Sequence, residues 1–197
     1  SNQRVYLHGS AATPVHLINT LISQNDRLKQ VELVSISLKD VDLNDPSLEG
    51  HFYINSLFVS ESNRIAVNSN RGDYIPVFLS EISQLFTRNI LPLDVAIVHV
   101  SPPDKHGYCS LGPSVDIARS AVQNAKKVIA QVNPNIPRVH GDAFVDINRF
   151  DALVWVEDPL PEVRYDLTAS ETDHKIGALV AGMIEDGATM QLGIGNI

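Results

Sequence analysis

A single cysteine, Cys109, leaves the chain unable to form an internal disulfide framework or an all-cysteine zinc site. No apolar run approaches the ~20 residues that a membrane-spanning helix requires, so a soluble chain is expected. Basic residues are outnumbered, with 15 Lys and Arg against 23 Asp and Glu. That deficit excludes the basic footprint on which general nucleic-acid binding depends. Internal repeats, low-complexity tracts and long linkers are missing too. The chain also lacks a starting methionine. Ser1-Asn2 reads as an expression remnant and the final MQLGIGNI stops inside a glycine-rich turn, so a piece of a longer protein is expected. Arg4 stands directly before the first apolar stretch, unlike a secretory leader. With the lone cysteine, this sets the expectation of a reducing compartment: cytoplasmic, or mitochondrial in a eukaryote.

What is present is the composition of a folded domain, 44% hydrophobic and 19% charged. A length of 197 residues suits one domain at roughly 100–200 residues each. Short apolar runs alternate with amphipathic segments, which predicts an α/β fold with an open, mostly parallel sheet flanked by helices. Strands are expected at 5–8, 31–37, 54–59, 74–77, 95–100, 128–132, 153–156 and 190–192. Several are almost wholly apolar, as strands buried on both faces are. Thr13-Pro14 predicts an N-cap and first-turn proline, followed by Ile18, Leu21 and Ile22 on one face. Ser80 opens a second helix with Ile82, Leu85 and Phe86. Ser114 opens a third with Ala118, Ala121, Val122 and Ala125, Asp116 being favourable in its first turn. Ser170 and Asp173 form a capping-box pattern. Behind it Ile176, Leu179, Val180, Met183 and Ile184 make a stripe read as core, and Gly187 is read as the helix end. Two stretches look irregular: 39–52, an acidic surface loop, and the proline-punctuated 133–150.

Ligands of open α/β sheets bind at the carboxyl ends of strands, so three loops are candidates. HGSAATP (8–14) combines small residues with a helix start, which lets backbone approach a ligand and offers free amides. An ordinary tight turn explains the same letters. SPPDKHGYCSLG (101–112) follows the strand VAIVHV and has its path fixed by two prolines and two glycines. Within it His106 is a general base by chemistry, or a loop histidine with a structural hydrogen bond. The terminal GIGNI holds Gly193, Ile194, Gly195, Asn196 and Ile197, the incomplete start of a dinucleotide fingerprint. Glu157 and Asp158 read as strand-end surface carboxylates. No metal site is expected. The candidate cations Arg64, Arg71, Lys105, Arg119 and Arg138 are scattered, so an anionic ligand would rely on backbone amides.

Taken together, HGSAATP, DYIPVFLSEISQLF, LDVAIVHVSPPDKHGYCSLGPSVD and LGIGNI resemble, in order and spacing, the acetyl-CoA hydrolase/transferase family. The likeness runs over essentially the whole chain and is strongest to the 4-hydroxybutyrate and butyrate CoA-transferase branch. The resemblance implies a CoA-transferase-type fold (the NagB/RpiA/CoA-transferase type) and a protein about twice this length with two similar halves. It implies coenzyme A or acyl-CoA as substrate, with no tightly bound cofactor. The partners it implies are a small acyl-CoA and carboxylate, the chain's own C-terminal domain and a second copy in a homodimer. It further implies that a glutamate beyond Ile197 attacks the thioester, leaving no catalytic residue here. Gly193, Ile194, Gly195, Asn196 and Ile197 would then touch CoA. Gly9, Ser10, Ala11, Pro102, His106 and Gly107 would line the acyl or acceptor side. An acetyl-CoA hydrolase, a sugar-phosphate isomerase or deaminase, and a non-catalytic nucleotide-binding or interaction domain stand as alternatives.

Overall fold

The computed structural model describes residues 1–162, 169–191 and 193. The chain divides into two compact units, Ser1–Pro161 and Glu162–Ile197.

The first unit is built on a seven-stranded sheet. Its strands are β1 (Arg4–Leu7), β2 (Val31–Ser35), β3 (Phe52–Ser56), β4 (Gly72–Tyr74), β5 (Val95–Val100), β7 (Lys127–Val132) and β9 (Ala152–Trp155). They lie in the order β4-β3-β2-β1-β5-β7-β9, and every neighbouring pair is parallel. The chain lays down strands outward from β1 on one side, then returns through helix α3 (Leu79–Thr87) to place β5 on the other side. That return reverses the strand order between β1 and β5, which creates a topological switch point.

Period-two alternation sorts the strand side chains into two cores. Tyr6, Val34, Ala96, Val98, Val128 and Ala130 pack with Ile82 and Phe86 of α3 and with Ala118, Ala121 and Val122 of α4 (Ala118–Asn124). Val5, Leu7, Leu33, Ile54 and Ile97 pack on the other face with Ile18 of α1 (Val15–Ile22) and Ala66 of α2 (Arg64–Asn68). Burial on both faces is why β5 reads as VAIVHV with almost no polar residue. Each fully buried side chain, such as Leu7 or Leu33, contributes about 1.5–3 kcal/mol of transfer free energy.

Several expectations need correcting. The stretch 39–52 is acidic only on its outer side. Val41, Leu43 and Leu48 are buried between exposed Asp40, Asp42, Asp45 and Glu49, and they close the second core. The candidate loop 101–112 and the stretch 133–150 expected to be irregular each contain a short strand. They carry β6 (Tyr108–Ser110) and β8 (Phe144–Asp146), which pair antiparallel with Cys109 opposite Val145. Three residues are too few to show a period, and the partners lie far apart in sequence. The last sheet strand is an exposed edge, with Leu153 and Trp155 largely open to solvent.

Three helix starts shift. Pro14 itself occupies the N-cap of α1, and Phe78, not Ser80, caps α3. Ile117, not Ser114, occupies the N-cap of α4, which leaves Asp116 ahead of its first turn. None of the three N-cap residues makes a side-chain cap.

In the second unit, α5 (Glu171–Ala181) opens with the expected capping box between Ser170 and Asp173. It ends at Ala181 rather than Gly187, and Gly187 takes its left-handed φ of 81° in a later turn. Its stripe is not core among the described residues, because Leu179, Val180, Met183 and Ile184 are all exposed. Periodicity reveals an apolar face but not what covers it. The expected strand at 190–192 is absent at Met190 and Gln191, and Leu192 lies outside the described residues.

Candidate functional site

The switch point gathers the carboxyl ends of β1 and β5, which pair from Val5↔Val95 to Leu7↔Ile97. The loops 8–14 and 101–112 therefore leave the sheet side by side. In the first, Gly9 is buried and a Cβ there would stand 2.5 Å from the Ser37 carbonyl oxygen. Its missing side chain makes room for the neighbouring chain segment after β2. Ser10 follows in the left-handed region at φ 54°, sparsely populated for a non-glycine residue. Its N–H donates to Ser37 O at 2.7 Å, and its carbonyl accepts from the Thr13 N–H and hydroxyl. Ser10 and Ala11 are left half-buried at the surface of the tight turn Ser10–Ala12.

In the second loop, Ser101 fixes the exit from β5. Its N–H donates to Ser110 O, and its hydroxyl accepts from Ser110 N at 2.9 Å while donating to Pro102 O. Pro102 is thus held at the base of the turn, beside the β1 loop. His106 and Gly107 form the tip. Asp104 organises it by accepting from the backbone N–H groups of His106 and Tyr108 at 2.8 and 2.9 Å. Gly107 O accepts from Ile147 N, which fastens the tip to the chain after β8. Arg138 donates to Asp104 Oδ2 at 2.5 Å and lies 4.6 Å from the Phe144 ring centroid. The bonds from backbone N–H groups hold the Asp104 carboxyl below its ordinary range. The His106 side chain is exposed, and its backbone makes the structural hydrogen bond.

Six candidate residues therefore divide. Gly9, Ser10, Ala11 and Pro102 stand at adjoining strand ends, while His106 and Gly107 sit on the tip near Ile147. Gly193 is exposed in the second unit, and Ile194, Gly195, Asn196 and Ile197 lie outside the described residues. Glu157 and Asp158 are exposed at the end of β9, as expected. Of the scattered cations, Arg71, Arg119 and Arg138 donate to backbone carbonyls of Asn44 and Asp45, Phe144, and Tyr108 respectively. The α1 amide of Leu17 is taken by Gln131 Oε1, and the amides of Ile117 and Ala118 by Asp116.

The residues missed from sequence are buried beneath these loops. His8 and His99 are 0% and 2% exposed. His8 Nδ1 accepts from the His99 backbone N–H at 3.2 Å, so Nε2 carries the proton and donates to Ser114 O at 2.7 Å. His99 Nδ1 faces the Thr13 carbonyl at 3.2 Å and must donate to it. Its Nε2 then accepts from the Gln131 amide at 3.3 Å. Burial lowers the pKa of both rings, His99 to about 4, with the neighbouring His8 adding to the effect. Both are neutral at pH 7 with both ring nitrogens occupied, so neither is free to relay a proton. The signal for His99 was present as the one polar residue inside VAIVHV. Cys109 is buried, and burial pushes its thiol up to about 11. At its surface the candidate site offers backbone and small side chains.

Over 197 aligned residues the chain is 44% identical to a succinyl-CoA:acetate/propanoyl-CoA:succinate CoA transferase of Fasciola hepatica, covering 98% of this chain and 41% of that protein. It is 40% identical to a 4-hydroxybutyrate coenzyme A transferase of Clostridium kluyveri, covering 100% of this chain and 46% of the relative. The chain thus spans less than half the length of these relatives. Among solved structures, RipA from Yersinia pestis superposes with a TM-score of 0.83 at 26% identity, over 99% of this chain and 48% of RipA. A 4-hydroxybutyrate CoA-transferase from Porphyromonas gingivalis gives 0.69 at 28% identity, over 98% and 44% of the two chains. The family described as acetyl-CoA hydrolase/transferase N-terminal domain matches residues 1–165. A parallel sheet with its switch point at β1 and β5, and this likeness across the chain, lead to one conclusion: the chain belongs to the acetyl-CoA hydrolase/transferase N-terminal domain family.

Proposed function

We propose that this chain is the N-terminal half of a CoA transferase that exchanges CoA between a short-chain acyl-CoA and a carboxylic acid. The observation that carries the reading is the pairing of HGSAATP with SPPDKHGYCSLG at one switch point, in a chain at least 40% identical to two CoA transferases. Its loops 8–14 and 101–112 form one wall of the cleft, with Gly9, Ser10, Ala11 and Pro102 nearest the acyl or acceptor group. His106 and Gly107 border it from the tip of the second loop. Gly193 to Ile197 contact CoA.

The nucleophile is a glutamate beyond residue 197. Its carboxylate oxygen attacks the thioester carbonyl, the C–S bond breaks, and CoA leaves as thiolate from a mixed anhydride. The thiolate then attacks the glutamyl carbonyl and expels the first carboxylate, giving glutamyl-CoA. An acceptor carboxylate reverses both steps. This wall supplies positioning and water exclusion. The buried neutral imidazoles place no extra charge beneath it.

The exposed stripe of α5 supports a partner that covers it, the C-terminal half of the protein. The complete protein is a cytoplasmic or mitochondrial homodimer on this reading. It requires no tightly bound cofactor. The hydrolase alternative differs in one respect, whether water rather than a carboxylate takes the acyl or glutamyl group.

Mass spectrometry of the full-length protein mixed with acyl-CoA tests the reading. A covalent CoA adduct, lighter by one water than protein plus CoA, is expected on a glutamate beyond residue 197. An adduct within 1–197, or no acceptor-dependent CoA transfer, rejects it. Release of free CoA without an acceptor acid selects the hydrolase. The isolated chain is expected to be inactive.

A further inference from the structure

Two histidines that this chemistry does not use occupy opposite faces of the sheet at the switch point. By alternation His8 shares the face of Tyr6, where α4 packs, and His99 shares the face of Ile97, where α1 packs. Each ring reaches the segment that leads into the helix on its own face. His8 Nε2 holds Ser114 O, four residues before α4, and His99 Nδ1 holds Thr13 O, two residues before α1. The two are joined directly, since the His99 backbone N–H donates to His8 Nδ1. Thr13 in turn fixes its loop, because its hydroxyl donates to Ser10 O and accepts from Lys39 N. Gln131 completes the set by donating to His99 Nε2 and accepting from Leu17 N of α1. The charged groups acting on the pair are Asp116 toward His8 and Asp158 toward His99.

A buried polar set with these donors and acceptors paired is rigid, and each loop carbonyl it grips has one position. We infer that His8 and His99 are positioning residues: together they fix where the loops before α1 and α4 stand, and hence the seat of the acyl or acceptor carboxylate. The inference rests on the CoA-exchange reading of the cleft.

The two ring nitrogens make the test specific. An asparagine amide falls near the place of Nδ1 and a glutamine amide near that of Nε2. At position 8 the loop tie runs through Nε2, so His8→Gln keeps it and His8→Asn loses it. At position 99 the tie runs through Nδ1, so His99→Asn keeps it and His99→Gln loses it. Each of the four variants removes an imidazole and one hydrogen bond, so a merely structural role lowers stability alike within each pair and leaves kcat alone.

The measurement is kcat, KM and thermal midpoint of CoA transfer by the full-length protein and its four variants. H8Q and H99N are expected to keep kcat within about threefold, while H8N and H99Q lose about ten- to a hundredfold with a smaller change in KM. Equal kcat within each pair, or the inverse pattern, overturns the inference. The pairs are independent, so failure of one to fold leaves the other decisive. Absence of transfer by the unsubstituted protein is a separate outcome that removes the CoA-exchange reading, and this inference with it.

Discussion

Acidification from pH 7 to about 4 tests the electrostatics of the switch point. Burial, reinforced by the neighbouring His8, holds His99 neutral down to about 4, against an ordinary value of 6.5. The unfolded chain takes up that proton near pH 6.5, and the folded chain only near 4. Stability is therefore complete above pH 6.5 and lost as pH falls between those values. At about 1.4 kcal/mol per pH unit, the interval removes about 3 kcal/mol through His99. His8 is lowered in the same direction, so the native chain loses more than this. Asp45, Asp94, Asp104 and Asp173 are lowered below their ordinary 3.8, so their losses set in only at the acid end of this range and are common to the native chain and the variant. Urea-unfolding free energies at several pH values between 7 and 4 read the effect for the native chain and for His99→Asn. The variant lacks the titrating ring, so its curve is expected to be flatter by about one proton, or about 1.4 kcal/mol per pH unit at the steepest point. Parallel curves would refute the reasoning, since the acid loss would then come from elsewhere.

Three further outcomes follow from single sites. Gly9→Ala places a Cβ 2.5 Å from Ser37 O and is expected to cost about 1–3 kcal/mol in denaturant unfolding, an unchanged midpoint counting against the close approach. Cys109, buried and with its thiol pushed up to about 11, is expected to resist a thiol reagent at pH 8 until the chain unfolds; rapid native labelling would contradict that burial. The exposed α5 stripe is expected to drive concentration-dependent self-association of the isolated chain, relieved by Leu179→Lys with Met183→Lys. Sedimentation showing a monomer at all concentrations would remove the argument for a covering partner.

The sheet was largely legible because parallel strands buried on both faces must be apolar, and β5 coincides with the expected 95–100. The paired loops were legible as well, through their small residues and prolines. The β6–β8 pair escaped because three-residue strands carry no period and find each other across a long separation. The apolar side of 39–52 is hidden in the sequence because Val41, Leu43 and Leu48, which close a core, stand among solvated acidic residues.

By itself the sequence determined the fold class and the family likeness, since these depend on local pattern and order along the chain. Only the tertiary structure decided what Gly9 makes room for, that the apolar stripe of α5 lies open, and that His8 and His99 grip two different loops from opposite sides of one sheet. Those facts depend on which distant backbone atoms arrive within hydrogen-bonding or contact distance, a matter fixed by strand order rather than by any neighbouring residue.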